Sequence, residues 1–234
     1  MPHSYFNVET LAAFLHLTPQ QVSRLADRGK LPGRKVAGEW RFSRPEIHRW
    51  FEERIGVADE DGLVEVEGVL ERNAPADQKQ EVSLAAMLPR EAVAVPLLAQ
   101  SRNSVINAMV ELAASTGILW DPRAMAEAVK AREDMHPTAL DGGVALMHPR
   151  RPMAKILSQP MMALGRTNHG IPFGSGAPLT DVFFLICSTD DRGHLRVLAR
   201  LSRLLNVADF LARLRSAPDA AEARRLIVEA EGGL

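Results

Sequence analysis

Six consecutive apolar residues, Val182-Phe183-Phe184-Leu185-Ile186-Cys187, leave this chain few ways to fold. Their aromatic and β-branched side chains predict a strand. A strand with one wet face alternates polar and apolar residues, and this one does not, so both of its faces must be covered. Such a strand belongs inside a sheet with helices around it. The chain supplies those helices. Ser101 can cap one that carries Val105, Ile106, Met109, Val110, Leu112 and Ala113, a wide apolar stripe. A second, from about Pro122, carries Met125, Ala126 and Val129 and ends near Arg132. Leu195, Leu198, Leu201, Leu204 and Leu205 mark an amphipathic helix behind the strand, and two further helical stretches, 207–215 and 218–231, follow it. Pro218 suits the start of the second. Additional strands are expected at 144–147 and 161–164, and the fold class is α/β.

Between the second helix and the apolar strand lies the segment 132–151. It reads as a helix end, a turn bearing Gly142 and Gly143, the short apolar run Val144-Ala145-Leu146-Met147, and then His148. Pro149 keeps the residue before it extended, so His148 finishes a strand instead of opening a helix. Loops above the ends of sheet strands are where α/β proteins commonly place chemistry. A surface histidine beside a proline turn is the plain alternative.

The first 55 residues have a different grammar. Val8-Glu9-Thr10-Leu11-Ala12-Ala13-Phe14-Leu15 has helical periodicity after Asn7. Thr18-Pro19-Gln20-Gln21 is a capping box with proline at the first helical position, and Gly29 stops the helix it opens. Two short helices on so tight a turn predict a helix-turn-helix. Next, residues 34–42 form two short runs around Gly38, a hairpin or wing. Ser43-Arg44-Pro45-Glu46 is a second capping box, opening a helix with Ile47, Trp50, Phe51 and Ile55 on its buried side. Acids then dominate: Asp59, Glu60, Asp61, Glu65, Glu67 and Glu71 make residues 57–81 an acidic linker, within which Val64, Val66 and Val69 allow a short strand. The expected domains are 1–56, the linker 57–81, and 82–234.

A net charge of −1 excludes a chain that is basic throughout. The single cysteine, Cys187, excludes an internal disulfide and suits a reducing compartment. The N-terminal residues show no basic region followed by an apolar run, and no stretch approaches the roughly 20 apolar residues that span a bilayer. The expectation is a cytoplasmic protein without membrane insertion.

Residues 5–55, through their order of elements and the block Gly33-Arg34-Lys35-Val36, Gly38, Trp40-Arg41-Phe42, resemble excisionase-type helix-turn-helix domains, related to the winged MerR class. The resemblance implies DNA binding: Gln20, Gln21, Ser23 and Arg24 at the exposed start of the second helix facing bases in the major groove, and Arg34, Lys35 and Arg41 of the wing on phosphates. Nine basic residues (24, 28, 30, 34, 35, 41, 44, 49, 54) against six acidic ones (9, 27, 39, 46, 52, 53) in this stretch give a single copy weak affinity. A homodimer is therefore expected.

The pattern Arg132-Glu133, Thr138, Gly142-Gly143-Val144-Ala145 and His148, with Leu164-Gly165-Arg166, Gly170-Ile171-Pro172-Phe173 and the late His194-Leu195-Arg196-Val197-Leu198-Ala199-Arg200-Leu201-Ser202, resembles the enzyme IIA domain of the sugar phosphotransferase system, in its fructose, mannitol and nitrogen-regulatory branch. That resemblance implies a central mixed sheet flanked by helices, and His148 as acceptor of a phosphoryl group from the phosphocarrier HPr. It implies His194 as the second active-site histidine and Arg132 as its cation. A neutral imidazole attacks phosphorus without a strong base, and the transferring group needs cations and N–H donors around its oxygens. Arg132 brings a fork that fits phosphate, His194 a helix N-terminus that favours an anion, and Thr138 orients His148 or donates to an oxygen. The His148 ring is expected in open solvent, with Arg132 and His194 close by. No metal or cofactor is required. Pro149 stands where relatives of this kind usually carry glycine, which removes an N–H donor from the partner surface; Arg150 and Arg151 offer charge in compensation. The rival readings are a IIA component relaying phosphate to a sugar permease through a IIB partner, and a IIA-shaped interaction module that is never phosphorylated. His136 and His169 are expected to be polar loop residues.

Overall fold

The computed structural model describes residues 5–15, 17–55, 83–174 and 179–234. The expected linker 57–81, with its possible strand at Val64, Val66 and Val69, and the side chains of Phe51 and Ile55 lie outside the described residues. The chain divides into two compact units, Met1–Glu81 with Leu198–Ser202, and Val82–Val197 with Arg203–Leu234. Each is described by itself.

In the first unit, β1 (Tyr5–Phe6), α1 (Val8–Leu15) and α2 (Pro19–Asp27) are followed by β2 (Arg34–Val36), β3 (Glu39–Ser43) and α3 (Arg44–Ile55). Asn7 and Thr10 exchange side-chain bonds at the start of α1, with the Thr10 amide donating to Asn7 Oδ1 at 2.8 Å. Thr18 and Gln21 form the expected capping box, Gln21 N to Thr18 Oγ1 at 3.2 Å and Thr18 N to Gln21 Oε1 at 2.7 Å. The three strands pair in the order β1-β3-β2. Val36 opposes Glu39 across a two-residue turn in which Ala37 and Gly38 have φ of 50° and 84°, the doubly left-handed geometry that matches strand twist. Leu11, Leu15, Val22, Leu31, Phe42 and Ile47 are buried, and the half-buried Trp50 donates its indole N–H to the carbonyl of Lys30 at 2.9 Å.

The second unit is built on a five-stranded sheet of order β4-β7-β8-β6-β5. Its elements are α4 (Leu84–Met87), a 3-10 turn, β4 (Val93–Ala94), α5 (Arg102–Ala114), α6 (Pro122–Met135), β5 (Ala139–Leu140), β6 (Val144–Met147), β7 (Met161–Ile171), β8 (Thr180–Cys187), α7 (Asp191–Asn206), α8 (Phe210–Ser216) and α9 (Ala220–Glu231). The sheet is mixed: β6 runs parallel to β8, β4 parallel to β7, and β7 antiparallel to β8. All six residues of the apolar run 182–187 have no exposed surface, as a strand between two covered faces requires. Phe183, Leu185 and Cys187 pack with Val105, Met109, Met125 and Val129 of α5 and α6, while the alternate Val182, Phe184 and Ile186 are buried on the opposite side.

Several expectations are corrected. β7 continues to Ile171, well past the expected 161–164, because Gly165 sits within a paired strand opposite Phe183 and admits Met109 and Leu97 into the space a Cβ would fill. The helix expected at 207–215 starts at Phe210, since Asp209 takes a left-handed φ of 60°. Pro218 precedes the cap instead of starting the last helix, which is capped by Asp219 accepting from Glu222 N at 2.9 Å. β4 and β5 went unread. So did a long-range clamp: the Glu231 carboxylate at the end of α9 accepts from Leu84 N at 2.5 Å, Ala85 N at 2.8 Å and Ser83 Oγ at 3.1 Å, holding the start of α4.

Candidate active site

β6 delivers His148. Its neighbour β8 is parallel, with Met147 opposite Leu185, so both strands end on the same side of the sheet. Two residues after β8, Thr189 leads into the Asp190 cap, whose Oδ1 accepts from Gly193 N at 2.8 Å. His194 then stands in the first turn of α7. The two imidazoles meet there, ring centroids 4.6 Å apart and planes tilted by 55°.

Hydrogen bonds orient both rings. His148 Nδ1 lies 3.1 Å from the carbonyl oxygen of Pro149. A carbonyl only accepts, so Nδ1 carries the proton, and in the neutral ring the lone pair belongs to Nε2. His194 Nδ1 lies 3.1 Å from Ser188 Oγ, and the Ser188 carbonyl accepts from Met153 N at 3.1 Å, tying the loop after His148 to the end of β8. The expectation of an open His148 ring is not met: His148 is 3% exposed and His194 4%. Arg150 and Arg151, next along the chain, are exposed.

Arg132 and Glu133, near the end of α6, and Thr138, just before β5, form a second cluster. The Thr138 carbonyl accepts from Leu146 N at 3.2 Å, two residues before His148. Thr138 is not arranged as expected. Its hydroxyl donates to Glu133 Oε1 and its amide to Oε2 at 3.0 Å, so the hydroxyl proton is directed to a carboxylate and not to His148. Arg132 donates Nη1 to the carbonyl of His136 in the last turn of α6, which satisfies an end carbonyl and opposes the helix dipole. Glu133 was visible in the sequence only as a partner of Arg132. It is 1% exposed, and burial pushes its carboxyl above the ordinary range, opposed by the Thr138 bonds and the Arg132 and Arg102 cations. Ser188 was missed outright. Its one local signal was a hydroxyl between a fully apolar strand and a helix whose first turn carries histidine. Cys187 is buried, which pushes its thiol up to about 12 and removes it from nucleophilic chemistry at neutral pH. His136 is exposed at the end of α6, and His169, also exposed, lies on β7 and not in a loop.

On the first unit, Gln20, Ser23 and Arg24 line a shallow groove along α2 with Glu9, Asp27 and Arg28, whereas the Gln21 side chain is engaged by the capping box. The wing cations are exposed and each meets a carboxylate: Arg34 with Glu46 at 3.4 Å, Lys35 with Asp27 at 3.3 Å and Arg41 with Glu39 at 2.9 Å. Exposed pairs of this kind are weak, so phosphate can displace them. Among the described residues no helix is long and apolar enough to cross a membrane.

Comparison with known proteins agrees with this layout. The family model "Phosphoenolpyruvate-dependent sugar phosphotransferase system, EIIA 2" matches residues 86–230, and a helix-turn-helix domain model matches residues 5–55. A nitrogen regulatory protein of Bradyrhizobium diazoefficiens is 36% identical over 125 residues, covering 50% of this chain and 78% of that protein. One from Pseudomonas aeruginosa is 28% identical over 138 residues, covering 57% and 86%. Among solved structures, the nitrogen regulatory protein IIA-Ntr of Neisseria meningitidis superposes with a TM-score of 0.51 at 21% identity, over 61% of this chain and 97% of that one. The mannitol IIA of Escherichia coli does so at 0.54 and 18%, over 59% and 97%. With its sheet, its paired histidines and these matches, the chain belongs to the phosphotransferase-system EIIA 2 family and carries a helix-turn-helix domain ahead of the IIA domain.

Proposed function

We propose that the protein is a regulator linked to the phosphotransferase system, accepting a phosphoryl group from phosphorylated HPr on His148 and binding DNA through its N-terminal domain. The observation that carries this reading is the imidazole pair, with the His148 Nδ1 proton donated to the Pro149 carbonyl and Nε2 as the nitrogen that bears the ring's lone pair. In the transfer, His148 Nε2 forms a bond to phosphorus while the donor's bond to phosphorus breaks and its electron pair returns to the donor. The transferring group is stabilised mainly by position and by charge. His194, the amides of the first turn of α7 and the Arg132 guanidinium are the groups assigned to its oxygens. Because His148 is 3% exposed, the encounter must uncover its ring, and the exposed Arg150 and Arg151 next to it would attract an acidic or phosphorylated partner.

The domain plan is a head over 1–56, a linker over 57–81 and a IIA domain over 82–234, with dimerisation raising DNA affinity and phosphorylation altering it through added charge. Incubation with phosphorylated HPr should label the parent protein and leave His148→Ala unlabelled, and operator affinity should differ between the phosphorylated and free forms. One observation favours a second reading, a IIA-shaped interaction module that is not phosphorylated: the closed His148 ring, with proline behind it. No label on the parent protein selects that reading. Transfer of label onward to a IIB domain would select a phosphate relay.

A further inference from the structure

We infer that Glu133 is a positioning residue that ties the helix carrying Arg132 to the strand carrying His148, through the hydrogen bonds its carboxylate accepts from Thr138. The helix α6 ends at Met135, and His136 behind it is already extended, with φ −153° and ψ 111°. Only residues 136–138 lie between this helix end and β5. Their main-chain donors are all placed. The His136 amide donates to the Arg132 carbonyl at 3.1 Å, and Pro137 has no N–H to place. The Thr138 amide donates to Glu133 Oε2 at 3.0 Å, and its hydroxyl donates to Oε1. Thr138 turns its carbonyl the other way, accepting from Leu146 N of β6 at 3.2 Å, and the pairing of β5 with β6 continues that register, Ala139 opposite Ala145. A short path thus runs from a side chain of α6 through Thr138 to β6, and His148 stands two residues beyond Leu146.

The inference rests on the proposed use of Arg132 as a cation for the transferring group. Arg132 and Glu133 are neighbours in the chain and hold the same corner from its two ends: Arg132 Nη1 donates to the His136 carbonyl, and Glu133 accepts at Thr138. The cation takes the acceptor and the anion takes the donors, so the order Arg-Glu matches the order of the groups being held. If the corner shifts, the His136 carbonyl shifts with it, and the guanidinium bonded to that carbonyl follows. Stability alone does not explain an acid in this place. Glu133 is 1% exposed, and an apolar side chain of similar volume would fill a buried position without the cost of desolvating a charge. What an apolar side chain cannot supply is a fixed point for the amide and hydroxyl of Thr138.

The test uses the full-length protein with phosphorylated HPr as donor, and reads the labelling rate at saturating donor separately from the donor concentration that half-saturates it. Glu133→Ala should lower the saturating rate about tenfold to a hundredfold, the scale of a group misplaced by about 1 Å, and change the half-saturating concentration less than about twofold. Glu133→Gln can still accept from the Thr138 amide and donate to its hydroxyl oxygen, so it should stay within about threefold of the parent. Because Glu133 acts through Arg132, Glu133→Ala should add less than about twofold in an Arg132→Ala background. Full additivity of the two losses in folded proteins overturns the inference, and so does a Glu133→Gln rate as low as that of Glu133→Ala. Should Glu133→Ala not fold, Thr138→Val, which removes the hydroxyl bond alone, should lose about threefold to tenfold, and a parental rate in that variant overturns the inference. If the parent protein takes no label, the phosphotransfer reading falls and amide exchange decides the tie by itself. The Leu146 amide should then exchange at least about threefold faster in whichever of the two variants folds, and a Leu146 amide protected as in the parent overturns the tie.

Discussion

Replacing Glu231 by alanine tests whether the two ends of the IIA domain are locked by a single carboxylate. That carboxylate accepts three hydrogen bonds from the start of α4, from Leu84 N, Ala85 N and Ser83 Oγ, at 2.5, 2.8 and 3.1 Å. Leu84 is fully buried, so its amide would be left without a partner, at a cost of about 1–3 kcal/mol. The Ala85 amide and the Ser83 hydroxyl, each only partly buried, would recover water and contribute about half as much again in lost charge-assisted bonding, for a total of about 3 kcal/mol. At roughly 2–4 °C per kcal/mol for a domain of this size, the melting temperature should fall by about 6–12 °C. Glu231→Gln keeps one acceptor oxygen and should lose about half of that. Calorimetry gives the melting temperature, and amide exchange at Leu84 and Ala85 localises the effect. A shift below about 2 °C, with both amides protected as in the parent, would refute the assignment of this carboxylate as the clamp.

Further expectations concern the site and the head. Burial raises the Glu133 carboxyl above its ordinary value of 4.5, so the folded protein holds that proton more tightly than the unfolded chain; stability from this group is full below the ordinary carboxylate range and is lost as pH rises through the raised value. Glu133→Gln should flatten that decline, and denaturant midpoints measured between acid and neutral pH will show whether it does. Gly165→Ala places a Cβ 2.6 Å from Met109 Sδ and 2.8 Å from Leu97 Cδ2, and the overpacking should cost about 1–3 kcal/mol in urea unfolding. Thr18→Ala removes the α2 cap and should cost the head about 1 kcal/mol, read from its own melting transition. If the wing rests on phosphates, Lys35→Ala should lower the salt dependence of DNA binding by about one unit of log–log slope, uniformly across sequences, and an unchanged slope would place the wing away from the backbone.

Local chemistry made much of this fold readable. The caps Thr18 and Ser101 act within one turn of chain, and the run 182–187 needs no partner to announce that it is buried. β4 and β5 are two residues each, defined by the strands they pair with and not by any pattern of their own. The expected strand 161–164 stops short of Gly165, whose missing side chain makes room for Met109 of α5 within the longer strand. The site divides in the same way. His148 and its strand were legible from Pro149 and the apolar run before it, and the meeting with His194 was implied by family resemblance. The Thr138–Glu133 bonds and the Ser188–His194 bond were invisible, because each depends on side-chain directions fixed only after the sheet has formed. The closure of the His148 ring also belongs to tertiary structure, and no spacing in the chain foretells it.

The parallel pairing of β6 with β8 gives the two imidazoles a common ruler. His148 follows the last residue of β6 directly and His194 stands in the first turn of the helix that β8 leads into, so their separation is set by this register and by the short connection 188–190. An extra residue inside β6 would carry His148 about 3.3 Å onward and turn it to the other side of the sheet. An extra residue beyond Met153, past the point where its amide is anchored on the Ser188 carbonyl, would leave this register unchanged. Natural variation can therefore rewrite the rim, and with it the choice of docking partner, while the histidine pair stays in calibration.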